Sequence, residues 1–292
     1  NKHDNMKRYL QLSLLATALL ASSANSLAQD FDRWFSEATL RLDYTFAGTS
    51  ESQAIYLDRT KTFDGWYGKR HNMNRLPLQG NGTITITDLT GTDTLYCHSF
   101  ATLFQEWQST EEATRVAKSF ETSFLIPMPK EDVQITIELT NMHNRTKSYL
   151  KHRISPSDIL ICKHNAKETL PYKYLKKSGD SKEKIDIVFV PEGYTSSEMK
   201  QFRKDCEKSM ASILNHKPFD TLADRFNFII VEAPSEHSGV SIPRQGEWKN
   251  TAVRSNIDTF YSERYLTTPN IRKLYDILDG VPCESIIILA NT

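Results

Sequence analysis

The chemistry open to this chain is bounded first by its histidines, which are His3, His71, His98, His143, His152, His164, His216 and His237. No two follow the H-x-x-x-H spacing that sets two imidazoles on one face of a helix, and none is followed by glutamate. A local two-histidine metal helix with its general base is therefore excluded within these residues. His216 falls near an expected helix end, where capping the last carbonyls accounts for it. His237 falls in a loop after an apolar run and stays open as a ligand. No G-x-S-x-G turn exposes a serine nucleophile, because Ser238-Gly239 lacks both the preceding glycine and a following helix. Cys206 lies on the apolar stripe of an expected helix and reads as core.

Phosphate chemistry is poorly served. The loop Pro191-Glu192-Gly193-Tyr194 carries one glycine and an acid, which makes a poor anion cradle even in front of a helix. Its position is more informative. Open α/β sheets hold ligands beyond the carboxyl ends of their strands. Glu192, Tyr194, Ser235, Glu236 and Asn291 all fall at such ends. Glu192, Tyr194, Ser235 and Glu236 form the candidate binding set. Turn and capping duties are the plainer account of the same residues, and a hydrolase using Glu192 with a second acid is a further reading. Phe63, Trp66 and Tyr67 crowd a turn; they suit a sugar platform, or more simply a hairpin with partly buried rings. The run Asp258–Tyr265 (DTFYSERY) fits a buried polar knot or a cleft wall, and sequence does not choose between them.

Two kinds of element must position these groups. From Thr39, the residues Leu40, Leu42, Tyr44 and Phe46 alternate with polar ones, as in a half-buried strand. Similar runs recur at Ala54–Leu57, Thr83–Thr87, Thr94–Phe104, Ser119–Ile126 and Val133–Leu139, with turn residues at Asp64-Gly65, Asn81-Gly82 and Gly91. A short helical piece is expected near Glu111–Ala117. The spacing predicts a β-sandwich over residues 29–150. Residues 151–182, rich in Lys and Ser, read as a connector with one strand near Ile159–Cys162.

Beyond the connector the period changes. Ile185–Val190 is apolar enough to be buried on both faces. Thr195 and Glu198 form a capping box ahead of a helix whose stripe is Met199, Phe202, Cys206, Met210 and Ile213. A strand at Asn227–Val231, a helix at Asn270–Leu278 stopped by Gly280, and a strand at Ser285–Leu289 complete a β-α-β-α-β order. That order implies a largely parallel sheet. Three such strands would leave apolar edges open, so residues 183–292 are expected to be the first part of a truncated α/β domain.

Composition narrows the partners. The 292 residues hold 36 Lys plus Arg against 36 Asp plus Glu, so no basic excess is present to neutralise phosphates, and nucleic acid is not an expected partner. Lys7 and Arg8 precede an apolar run, Leu10–Leu20, which is too short to span a bilayer. Ser26-Leu27-Ala28 follows as a cleavage site. Residues 1–28 therefore read as an export signal with an upstream extension before Met6, and Gln29 as the mature start. The expected location is periplasmic or secreted, with no membrane anchor. Cleavage removes Lys2, Lys7, Arg8 and Asp4, leaving a net charge of −2. The four cysteines, Cys97, Cys162, Cys206 and Cys283, have irregular spacing and read as free thiols, with a Cys97–Cys162 bridge left open.

Longer strings carry a resemblance. IDIVFVPEGYTSSEMKQFRKD (Ile185–Asp205), RFNFIIVEAPSEHSGVSIP (Arg225–Pro243), NTAVRSNIDTFYSERYLTT (Asn250–Thr268) and GVPCESIIILANT (Gly280–Thr292) resemble the IgA peptidase family, metallopeptidase family sixty-four. NRLPLQGNGTITITD (Asn74–Asp88) and SFATLFQEWQSTEEA (Ser99–Ala113) resemble the family's N-terminal domain. The resemblance implies a β-sandwich followed by a zincin-like endopeptidase domain acting on protein or peptide. In that family two imidazoles of an H-E-x-x-H helix hold zinc, and its glutamate activates the bound water. That helix lies downstream of the segment like Ser285–Thr292. No catalytic or metal-binding residue is therefore carried over to this chain, and zinc is expected in the intact protein rather than here. One departure is local: the family commonly has Asp-Gly-Tyr where this chain has Glu192-Gly193-Tyr194. The alternative reading is a non-catalytic extracellular glycan- or protein-binding sandwich with a degenerate peptidase scaffold.

Overall fold

The computed structural model describes residues 31–140 and 147–292, so the export signal expected at residues 1–28 lies outside the described residues. Among the described residues, twelve strands form three four-stranded sheets. The first contains β1 (Phe35–Gly48), β2 (Gln53–Asp64), β5 (Lys118–Pro129) and β8 (Cys162–Lys163), in the order β5-β1-β2-β8. The second contains β3 (Gly82–Thr87), β4 (Thr94–Phe100), β6 (Val133–Thr140) and β7 (Lys147–Ile154), in the order β4-β3-β6-β7. Leu40, Leu42, Tyr44 and Phe46 from one sheet and Ile84, Ile86, Ile135 and Ile137 from the other share one buried cluster. Alternation along each strand has placed one apolar face of each sheet against the other.

Two expectations for this half change. The run expected as strand to Phe104 ends at Phe100, and a short helix, α1 (Leu103–Trp107), follows. Thr102 and Gln105 make a capping box that starts it, and Phe104 and Trp107 turn into the core from its inner face. The strand expected at Ile159–Cys162 is only the two residues of β8, because Ile159 and Leu160 are 94% and 79% exposed and pair with nothing in a sheet.

The third sheet contains β9 (Tyr172–Lys176), β10 (Ile185–Glu192), β11 (Phe226–Val231) and β12 (Ser285–Ala290), in the order β12-β10-β11-β9. β10 runs parallel to both β11 and β12. β9 is antiparallel to β11 and was not expected: the connector supplies an edge strand, and the sheet is mixed. Helix α2 (Met199–Leu214) covers one face, over Ile187, Phe189, Phe228 and Ile230. Helix α3 (Ile271–Leu278) covers the other, over Val188, Val190, Ile229 and Val231. Coverage on both faces is why these strands read as unbroken apolar runs. Among the described residues no helix is long and apolar enough to cross a membrane.

Candidate functional site

The carboxyl ends of β10, β11 and β12 lie side by side, and the loops leaving them are tied together. At the end of β10 the chain turns through Gly193, whose φ of +72° is a left-handed conformation. A Cβ there would also collide with the Gly239 carbonyl oxygen. Gly239 donates its N–H to the Gly193 carbonyl at 2.9 Å, and Ser235 donates its N–H to the Tyr194 carbonyl at 2.7 Å. Asn291 closes the third side: its backbone N–H reaches the Glu192 carbonyl at 2.9 Å, and its amide reaches the Gly193 carbonyl at 3.0 Å.

Glu192 ends β10 fully buried. Its Oε1 accepts from the Thr251 hydroxyl at 2.5 Å, the Ser255 N–H at 2.7 Å and the Ser255 hydroxyl at 2.6 Å. Its Oε2 accepts from the Val253 N–H at 2.8 Å. Four donors satisfy the carboxylate without a cation, and together they strap residues 251–255 across the strand ends. Ser235 is also buried; its Oγ accepts from the N–H groups of Gly193 at 3.0 Å and Ala252 at 2.8 Å. The strap was not foreseen from the sequence. Its one signal is an acid ending an otherwise apolar strand, which must find donors once buried.

Tyr194 packs its ring against Phe202 at 5.2 Å and donates its hydroxyl to Asp205 at 3.1 Å. Desolvation first, and the negative Asp205 second, push its phenol up to about 12, so it stays neutral. Glu236 is exposed and accepts from the Asn250 amide at 2.6 Å. His237 is exposed beside it, and its Nδ1 accepts from the Asn250 N–H at 2.9 Å. The Thr195 N–H at 2.8 Å is the leading reason that Glu198 is held below the ordinary carboxylate range, with the Ser238 hydroxyl second. The structure thus gathers Glu192, Tyr194, Ser235 and Asn291 into one bonded frame and leaves Glu236 and His237 at its rim. His216 lies apart, with Nδ1 2.7 Å from the Ser212 carbonyl. Among the described residues no three His, Cys, Asp or Glu side chains gather into a group able to hold a metal ion.

Residues 30–151 match the family described as Peptidase M64 N-terminus, and residues 174–292 match IgA Peptidase M64. The chain belongs to the M64 peptidase family. No curated protein matches it.

Between the two M64 segments lies a cavity of about 810 Å³, walled by Phe100, Phe124 and Lys118 on one side and by Trp248, Phe260 and Tyr275 on the other. Of the Asp258–Tyr265 run, Asp258–Tyr261 form a wall of this cavity rather than a buried knot, with Tyr261 83% exposed. Asp258, Phe260 and Tyr261 all take positive φ, which turns Phe260 inward onto the sandwich core. Phe63 and Trp66 are buried and Tyr67 is half-buried, and the three line a second cavity of about 400 Å³ together with Tyr96 and Leu78. All four cysteines are free thiols in this fold, Cys97 buried on β4 and Cys162 exposed on β8, so the two form no bridge here.

Proposed function

We propose that the chain is the front part of a secreted, zinc-dependent endopeptidase that hydrolyses peptide bonds in protein or peptide substrates. Membership of the M64 family carries this reading. In it, residues 29–150 are an N-terminal sandwich module, residues 151–182 a connector, and residues 183–292 the opening of a zincin-like unit. Residues 1–28 direct export, after which Gln29 is first.

The residues described do not fit zinc. His216 and His237 lie apart, Glu192 is buried and saturated with donors, and no metal-holding group forms among the described residues. No hydrolytic step is therefore routed through them. The proposal places the imidazoles and the general base on a helix C-terminal to β12 in the intact protein, where zinc would polarise the scissile carbonyl and activate water. This chain's own residues would contribute the frame: Gly193, Ser235, Asn291 and the Glu192-held strap fix the strand ends on which such a helix must sit.

The test compares the product of the complete reading frame with residues 29–292 alone. The complete protein is expected to carry one zinc per chain and to cleave casein in a chelator-sensitive manner, while residues 29–292 do neither. Stoichiometric zinc with activity in residues 29–292, or neither property in the complete protein, would overturn the proposal. A metal-free complete protein that captured glycan or protein would favour the binding-module alternative instead.

A further inference from the structure

The outer face of the sandwich is where the two M64 segments are joined by charge. On β1, Arg41 and Asp43 are fully buried although they point away from the sandwich core. Arg41 donates Nε to Asp43 at 2.8 Å, Nη1 to Asp276 at 2.7 Å and to Asp279 at 3.2 Å, and Nη2 to the Arg272 carbonyl at 2.9 Å. Its planar fork thus reaches both aspartates and a backbone oxygen of the α3 segment at once. On β2, Arg59 reaches Asp276 at 2.8 Å and Lys61 reaches Asp279 at 2.5 Å. Traffic also runs the other way. Glu121 of β5 accepts the Arg272 backbone N–H at 3.0 Å, satisfying a donor in the first turn of α3. The Arg272 side chain reaches Thr45 at 2.6 Å and also bonds Asp58.

We propose that this face is an internal docking surface that makes the N-terminal sandwich a fixed part of the second unit rather than a module swinging on a connector. Its occupant is α3 of the same chain. The charges are complementary: the sandwich offers Arg41, Arg59 and Lys61 to Asp276 and Asp279, and Asp58 and Glu121 to Arg272. Because Arg41, Asp43 and Asp279 are at most 2% exposed, the centre of the network is shielded from salt. Asp279 sits six residues before β12 begins, so the docking also sets the edge strand and the cavity wall that α3 carries.

Hydrogen exchange on the exported chain tests it. Asp276→Asn removes the carboxylate shared by Arg41 and Arg59 at a position 43% exposed, so the variant is expected to fold. Protection of amides in residues 271–290 should fall at least tenfold, while amides of β3 and β6 in the far sheet stay within twofold. Arg41→Met should give a larger loss in the same segment. Arg153→Gln, which breaks only the surface pair with Asp132, is the control and should change neither. Protection of residues 271–290 unchanged within twofold in Asp276→Asn would overturn the proposal, and that result decides alone if Arg41→Met fails to fold.

Discussion

Replacing Glu192 by glutamine keeps the shape of the strap's anchor and removes its charge. The amide oxygen can still face Thr251 and Ser255, but the NH₂ then confronts the Val253 N–H that Oε2 now accepts at 2.8 Å. Hydrogen bonds to a charged acceptor contribute roughly 1.5–3 kcal/mol each and neutral ones roughly 0.5–1.5, so weakening the three bonds on Oε1 loses about 3 kcal/mol. An orphaned buried N–H adds a cost of about 1–3 kcal/mol. Relief of the buried charge offsets part of this, leaving a net loss of about 2–4 kcal/mol. Urea unfolding of wild type and Glu192→Gln, with hydrogen exchange at residues 251–256, measures both the size and the place of the effect. A loss under about 0.5 kcal/mol with unchanged protection in that segment would refute the clamp and reopen Glu192 as a residue kept for chemistry.

Three further expectations follow from single observations. Gly193→Ala should destabilise by about 2–4 kcal/mol, because it puts a Cβ at positive φ against the Gly239 carbonyl; a melting temperature within a degree of wild type would contradict the geometry. Desolvation first, and the Asp186 carboxylate second, push Glu284 from 4.5 up to about 7. The folded state therefore holds this proton more tightly than the unfolded chain. Its contribution is full below about 4.5 and is lost as pH rises through about 7. Glu284→Gln should then gain stability over wild type at pH 8 but not at pH 4, and an equal difference at both would exclude the titration. A thiol reagent should label Cys162 alone in the native protein and all four cysteines after unfolding; rapid labelling of Cys206 would contradict its burial.

Much of the secondary structure was legible because it is written in local pattern. The alternation of Leu40, Leu42, Tyr44 and Phe46 appears as the inner face of β1, and the Thr195–Glu198 box starts the helix it was read to start. Misreadings occurred where a local pattern had a distant partner. Tyr172–Lys176 lies in a Lys-rich stretch after Pro171 and becomes a strand only because the edge of β11 pairs with it. Arg41 and Asp43 alternate with core residues as any solvent-facing pair would, and only the docking of α3 buries them. In the candidate site, the strand-end placement of Glu192, Tyr194, Ser235 and Asn291 was readable from topology. The strap that occupies Glu192 was not.

By itself, then, the amino-acid order determined where strands and helices fall, which face of each is apolar, and which family the strings resemble. These depend on periodicity, capping and turn preference, whose interactions close within a few residues. Tertiary structure alone decided that Glu192 is a clamp and that the outer face of the sandwich is buried. The partners in those contacts stand 63 residues apart for Glu192 and Ser255, and 238 apart for Arg41 and Asp279. No short-range pattern encodes such a pairing. It exists once three sheets have packed, because a charge carried out of water must then find whatever donors and acceptors the fold has brought beside it.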